Sequence, residues 1–242
     1  MAKFMEKQVA LINNHDWRYE RKFLINNRFQ RSISQELKLH PSIFSEAYPE
    51  RRVNNFYYDD ISFASFFNNV MGVSSRKKTR IRYYGRTIGK IISPKLELKI
   101  KNGLLGTKVS YPLKNFNITH EITRDTVNKA VYSSLSDDLR SNILSLNPIL
   151  LNTYKRKYYL SQDKKYRVTM DYDLKFYRLD RLKNNILTPV ELMNTIILEI
   201  KYSSADDDRL SEITNNWPYR LTKSSKYVMG VEALYPELGI YG

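Results

Sequence analysis

Arg80 and Arg82 stand two residues apart, as do Glu20 and Lys22, Tyr154 and Arg156, Glu97 and Lys99, and Glu199 and Lys201. Arg167, Thr169 and Asp171 repeat the spacing. In an extended strand, residues two apart point to the same face, so each pair presents its polar atoms together. A guanidinium can grip two phosphate oxygens at once, and an ammonium supplies a compact point charge. A carboxylate set among such cations offers an oxygen ligand to a hard divalent ion. Side chains of these types suit the binding of a phosphate chain together with a metal. Arg80, Arg82, Arg156 and Arg167 are the candidate forks, and Lys22, Lys99 and Lys226 the candidate point charges. Glu199 is the foremost candidate metal ligand, with Glu20 and Glu97 as helpers.

One such strand would be an ordinary antiparallel strand with its polar face in water. The repetition changes the reading, because apolar residues such as Leu96, Leu98, Ile100, Ile196, Leu198 and Ile200 fill the alternate positions. Closing about six strands of this kind with their apolar faces outward gives a barrel lined with cations and a few acids.

Composition agrees with an anionic partner. The 242 residues carry 40 Lys and Arg against 25 Asp and Glu, for a net charge of +15, which favours nucleic acid, phosphate-rich small molecules or an acidic membrane surface. The length and apolar content predict one domain over residues 1–242. There is no cysteine, which excludes disulfides and thiolate chemistry and fits a cytosolic location. His15, His40 and His120 lack metal-ligand spacing and are expected on the surface or in loops. The N-terminal stretch has no signal-peptide pattern and no run approaches the roughly 20 apolar residues of a membrane span, so a soluble cytoplasmic protein is expected. The 19 tyrosines could stack on bases. Most alternate with aliphatics as sheet-packing residues do, which makes nucleic acid the disfavoured partner.

The elements that must position these residues follow in order. A strand is predicted over Trp17–Asn26, a helix over Arg28–Leu39 ending at His40-Pro41, and a strand over Arg52–Asp59. Asp60 is the predicted N-cap of a helix over Ile61–Met71, with an apolar stripe of Ile61, Ala64, Phe67, Val70 and Met71. Strands are predicted over Arg76–Tyr84 and Lys95–Lys101, with a hairpin through Asn102-Gly103 into Thr107–Leu113. Two helices are expected between Ile118 and Leu146. Strands resume over Ile149–Leu160 and Lys165–Tyr172, with Leu174–Leu179 as a further member. A polar loop around Lys183–Pro189 precedes a strand over Thr195–Tyr202. Ala205–Ile213 is a short helix, and Arg220–Tyr227 leads into an apolar tail, Tyr227–Leu234.

Several of these segments resemble a known family in their order and separation. They are Tyr19-Glu20-Arg21-Lys22-Phe23, Asn55-Phe56-Tyr57-Tyr58-Asp59, Arg80-Ile81-Arg82-Tyr83-Tyr84-Gly85, Glu97-Leu98-Lys99, Tyr154-Lys155-Arg156, Leu198-Glu199-Ile200-Lys201-Tyr202 and Ser225-Lys226-Tyr227. Together they resemble the VTC domain, the polyphosphate polymerase module within the triphosphate tunnel metalloenzyme superfamily, from about Trp17 to about Leu234. The resemblance implies an α+β fold, an antiparallel eight-stranded β-barrel or tunnel with flanking and plugging helices. It implies that nucleoside triphosphate, polyphosphate or another phosphate-rich anion binds to Lys22, Arg80, Arg82, Lys99, Arg156, Arg167 and Lys226. Lys223, Tyr154 and Ser225 are further binding candidates, and Glu199 would hold Mn or Mg. The superfamily's opening signature has two glutamates two apart and then a lysine; here Arg18 replaces the first. The implied chemistry is phosphoryl transfer from the γ-phosphate of ATP to a phosphate chain. Hydrolysis by water, binding without turnover, and a basic nucleic-acid-binding β protein stay open as alternatives.

Overall fold

The computed structural model describes residues 17–140, 143–182, 188–215 and 217–238. His15 and most of the loop around Lys183–Pro189 lie outside the described residues. β1 (Arg18–Asn26) leads through a 3-10 turn into α1 (Gln30–Leu39), then β2 (Ser45–Asp59), α2 (Ala64–Val70), β3 (Ser75–Tyr84) and the short β4 (Gly89–Ile91). Next come β5 (Lys95–Asn102), β6 (Leu105–Pro112), β7 (Phe116–Ile118), α3 (Arg124–Tyr132) and α4 (Asp137–Arg140). The last elements are β8 (Asn147–Leu160), β9 (Arg167–Arg178), β10 (Val190–Leu192), β11 (Thr195–Ser203), α5 (Leu210–Thr214) and α6 (Lys226–Leu234).

Eight strands close on themselves in the order β9-β11-β1-β6-β5-β3-β2-β8, with β8 pairing back to β9, and the pairs are antiparallel. β10 adds to the far half of β9 outside the ring, and β4 pairs with β7 as a separate ribbon. The seam between β1 and β6 is narrow, registering only Arg18 opposite Gly106.

The alternation sends polar side chains inward and apolar ones outward, and the outer faces are buried by covering elements. Ile33 and Leu37 of α1 pack with Phe23, Val168, Leu198 and Trp217 on one flank. Val127 and Val131 of α3 cover Phe56, Ile81, Leu96 and Leu151 on another. Tyr227, Val231 and Leu234 of α6 lie instead against inward-facing Leu150 and Phe176, with Leu174 beside them, so this helix packs on the interior at one end of the barrel. Gly230 lets α6 approach so closely that a Cβ there would stand 2.5 Å from Phe176 Cδ1. Among the described residues no helix is long and apolar enough to cross a membrane.

Three expectations need correction. The helix over Ile61–Met71 shortens to α2, and its expected stripe is wrong: Ile61, Val70 and Met71 are exposed, while Phe66 is the buried contact. Its capping carboxylate is shared, because Asp59 accepts from the backbone N–H of Ser65 and Phe66 while Asp60 accepts from Ser62 and Ala64. Leu174–Leu179 is no separate strand, since β9 runs on through Asp173 at φ +56°. The apolar tail is helix α6. His40 stands in the loop after α1, as expected, and is buried there; its Nε2 bonds the Ile213 carbonyl at 3.0 Å and its Nδ1 accepts from Ser42 N–H. His120 is exposed, as expected.

Candidate active site

The strand registers bring the spaced cations to one enclosed lumen. Lys22 lies opposite Glu199 and Glu20 opposite Lys201 across β1 and β11. Lys78 lies opposite Lys99, and Lys99 opposite Lys108, across β3, β5 and β6. Arg156 lies opposite Asp171 across β8 and β9. A cavity of about 610 Å³ opens from this lumen, lined by Glu20, Arg80, Arg82, Lys99, Lys108, Arg156, Thr169 and Lys201, with Arg18, Tyr48, Tyr158 and Arg167 towards its mouth.

Three carboxylate centres divide the cations. Glu20 takes Lys22 and Lys99, each at 2.8 Å, while its neighbour Glu199 takes Lys201 at 2.5 Å and Lys22 at 3.7 Å. Glu97 is gripped by Arg80 at 2.7 Å and Lys108 at 2.6 Å, with Arg82 at 3.7 Å. Asp171, fully buried, receives two hydrogen bonds from Arg156 at 2.5 and 2.7 Å and one contact from Lys226 at 2.5 Å. Arg82 also donates to Asn55 at 2.8 Å and to the Tyr154 hydroxyl at 3.2 Å, and Asn55 is itself fixed by Asn152 at 2.7 Å. Lys78 donates to the Ser225 hydroxyl at 2.8 Å. Nine basic side chains thus share the lumen with four carboxylates.

That surplus shapes the protonation states. Burial alone would raise Glu20, yet the Lys22, Lys99 and Lys201 ammoniums outweigh it and hold its carboxyl well below the usual range. Glu199 is raised by burial and by Glu20 but pulled down further by Lys201, Lys22 and Lys99, to about 2. Burial and the ammoniums of Lys22 and Lys201 depress Lys99 to about 8 against the pull of Glu20 and Glu199. Lys78 lies well below its ordinary value through burial and the charges of Lys99, Lys22 and Arg76. Burial would raise the Tyr154 phenol, but Arg156, Arg82 and Lys226 lower it overall.

One end of the barrel is crossed by a strap. Leu221 bridges to Phe23, Thr222 N–H donates to the Lys22 carbonyl at 2.8 Å, and the Ser224 carbonyl accepts from Lys22 Nζ at 2.8 Å. Ser225 meets Lys78 of β3, and Lys226 meets Asp171 of β9. Behind the strap, the Tyr227 hydroxyl donates to Asp59, the same carboxylate that caps α2, so both helices are tied to the end of β2.

Lys22, Arg80, Arg82, Lys99, Arg156, Lys226, Tyr154 and Ser225 are therefore gathered in or against the lumen. Arg167 lies exposed at the mouth, where burial of its stem and the charge of Arg18 depress its pKa. Lys223 stays exposed on the strap. Glu20 and Glu199 adjoin, whereas Glu97 belongs to the separate Arg80 and Lys108 centre. Sequence reasoning missed Lys78 and Lys108 as site residues and gave Lys201 and Asp171 no role. Lys78 sits two residues before Arg80, and Lys108 faces Lys99 across the hairpin, so same-face spacing was a signal for both.

Among the described residues no group of three or more His, Cys, Asp or Glu is arranged around a possible metal position. Two adjoining ionised carboxylates, Glu20 and Glu199, still fit a hard cation that completes its shell with water and phosphate oxygens.

The described geometry has counterparts among known proteins. A family model for the VTC domain matches residues 17–235. The PH1819 protein of Pyrococcus horikoshii OT3 is similar in structure with a TM-score of 0.50 at 12% identity, covering 89% of this chain and 98% of its own. A candidate adenylate cyclase from Vibrio parahaemolyticus gives a TM-score of 0.49 at 10% identity, covering 87% and 97%. No curated protein matches the chain. The fold is of the triphosphate-tunnel type.

Proposed function

Since the chain belongs to the VTC domain family, we propose that it carries out metal-dependent phosphoryl transfer on nucleoside triphosphate or polyphosphate inside its basic lumen, in the manner of a polyphosphate polymerase. The observation that carries this reading is the convergence of nine cations and four carboxylates on the barrel's lumen, where Arg80, Arg82, Lys99, Lys108, Arg156 and Lys201 line the cavity with Glu20 as its one carboxylate from this set. An enclosed positive surplus of that kind is costly when empty and is relieved by a polyanion.

In the reaction, a terminal oxygen of a phosphate chain attacks the γ-phosphorus of ATP, a new P–O–P bond forms, and the bond to the β,γ-bridging oxygen breaks. ADP leaves with that electron pair. Such transfers need alignment and charge stabilisation more than a protein nucleophile. Arg80, Arg82 and Arg156 hold phosphate oxygens, and Lys22, Lys99 and Lys226 neutralise the charge along the chain. Tyr154 and Asn55 orient Arg82, and Ser225 presents its hydroxyl beside Lys78. Mn or Mg, bound at Glu199 with Glu20, would supply charge neutralisation at the phosphates. Arg167 meets the substrate at the mouth, and Lys223 serves it from the strap. We read the chain as a single tunnel domain acting in the cytoplasm, where nucleoside triphosphates are plentiful.

The test is incubation of purified protein with ATP and Mn or Mg, reading ADP release and polyphosphate formation. Lys22→Ala, Arg82→Ala and Glu199→Gln should each abolish turnover. A folded protein that turns over neither ATP nor tripolyphosphate with any divalent metal refutes the catalytic reading. One feature favours a binding-only module: Arg18 puts a cation at the mouth where the superfamily signature has an acid. Tight tripolyphosphate binding without turnover is its distinguishing result. Phosphate release without chain growth would mark water as the acceptor.

A further inference from the structure

The lumen changes character at its mouth. On β3 the inward row Lys78, Arg80, Arg82 ends in Tyr84, and on β8 Arg156 is followed by Tyr158. The opening half of β2 slips register against β8 twice, between Glu46 and Tyr48 and between Tyr48 and Arg51. Such bulges re-aim side chains beside sites. They bring the Tyr48 ring edge-on to Tyr158 at 5.7 Å. They also set the Arg51 guanidinium 5.1 Å from the Tyr48 centroid, 5.7 Å from Tyr84 and 5.8 Å from Tyr158. Tyr48 is 55% exposed and Tyr84 44% exposed, so these rings are not core packing. Tyr48 and Tyr158 line the same cavity as Arg80 and Arg82.

An aromatic face carries the negative part of the ring quadrupole, so it offers nothing to a phosphate oxygen. It does stack on a flat neutral ring, as does a guanidinium plane. We propose that the collar of Tyr48, Arg51, Tyr84 and Tyr158 holds the base of a nucleoside triphosphate whose phosphates run inward to Arg82 and Arg80, an inference that rests on the phosphate reading of the lumen. The collar selects a nucleotide over a bare phosphate chain as donor. Stacking ranks ATP and GTP ahead of UTP by ring area.

Calorimetric titration of the full chain with ATP and with inorganic tripolyphosphate, each with Mg, tests this. In the double variant Tyr48→Ala/Tyr84→Ala the ratio of ATP to tripolyphosphate affinity should fall by about five- to a hundredfold. Tripolyphosphate affinity itself should hold. Tyr48→Phe/Tyr84→Phe, which keeps the rings, should preserve the ratio. A parallel loss of both ligands overturns the base site, because the rings would then serve only to hold Arg51 against phosphate. An unchanged ratio in the alanine variant overturns it as well. A wild-type chain that binds neither ligand overturns the phosphate reading itself, a result distinct from these two.

Discussion

Replacing Asp171 by Asn should weaken the empty protein and strengthen its response to phosphate. Asp171 is wholly buried, and its two oxygens compensate both Arg156 and Lys226. Burial pushes its carboxyl up, but those two cations outweigh burial and hold it far below the ordinary carboxylate value. Asn keeps the shape and removes the charge, leaving two cations facing each other. Removing one partner of a buried pair costs about 3–5 kcal/mol, which for a chain of this size corresponds to a fall in Tm on the order of 6–20 °C. A carboxyl lowered in the fold stabilises it above the unfolded pKa of about 3.9, and that contribution is lost as pH falls through the folded value. The difference between wild type and variant should therefore shrink below about pH 4. Tripolyphosphate supplies the missing negative charge without first breaking the Asp171 pairs, so its stabilisation should be larger in the variant than the roughly 2.7 kcal/mol that a ligand gives at a hundred times its Kd. Differential scanning fluorimetry across tripolyphosphate concentration and pH reads both effects. A variant that melts with the wild type, or gains less from tripolyphosphate, would refute the assignment of Arg156 and Lys226 to a phosphate-accepting lumen.

Three other perturbations have definite signs. Lys99, depressed to about 8 in the fold, sheds its proton at lower pH than in the unfolded chain, so the empty protein should gain stability from pH 8 towards about 10.4. A bound phosphate chain restores the ammonium, so binding near pH 8.5 should take up protons; calorimetry in buffers of different ionisation heat that shows no uptake contradicts this. Lys78→Met removes a buried ammonium whose partner is the Ser225 hydroxyl, so the free protein should melt higher while tripolyphosphate binds more weakly, as read by thermal shift and titration; a lower Tm with unchanged binding speaks against it. Gly230→Ala drives a methyl into Phe176 and Leu150, and overpacking of about 1–3 kcal/mol should lower Tm by roughly 2–12 °C. Normal melting would mean that α6 rides more loosely on the barrel than described.

The barrel was legible because its signal is the two-residue period, which strands of opposite faces cannot hide. Leu96-Glu97-Leu98-Lys99 or Leu198-Glu199-Ile200-Lys201 each names an inside and an outside. The family segments then fixed how many strands close. What the period cannot say is which cation shares which acid, since that depends on register between strands. Glu97 stands opposite Arg80 across β3 and β5 and pairs with it, but across β5 and β6 it faces Ser110 while its other oxygen goes to Lys108, the register partner of Lys99. Helix α6 escaped notice because Tyr227–Leu234 is apolar around most of its circumference, as suits a helix wedged between α2 and the barrel. The stripe expected over Ile61–Met71 failed because the chain turns at Phe63, held at φ +56°, so helical periodicity starts later than the apolar residues suggest. The exposed Tyr48 and the bulged half of β2 carry no sequence period at all.

The strap from Leu221 to Lys226 touches β1, β3 and β9, strands spread around the ring. No two of these strands are hydrogen-bonded neighbours in the ring, so one short segment cross-links parts of the barrel that share no ladder. A change at any one of Lys22, Lys78 or Lys226 therefore bears on the other two.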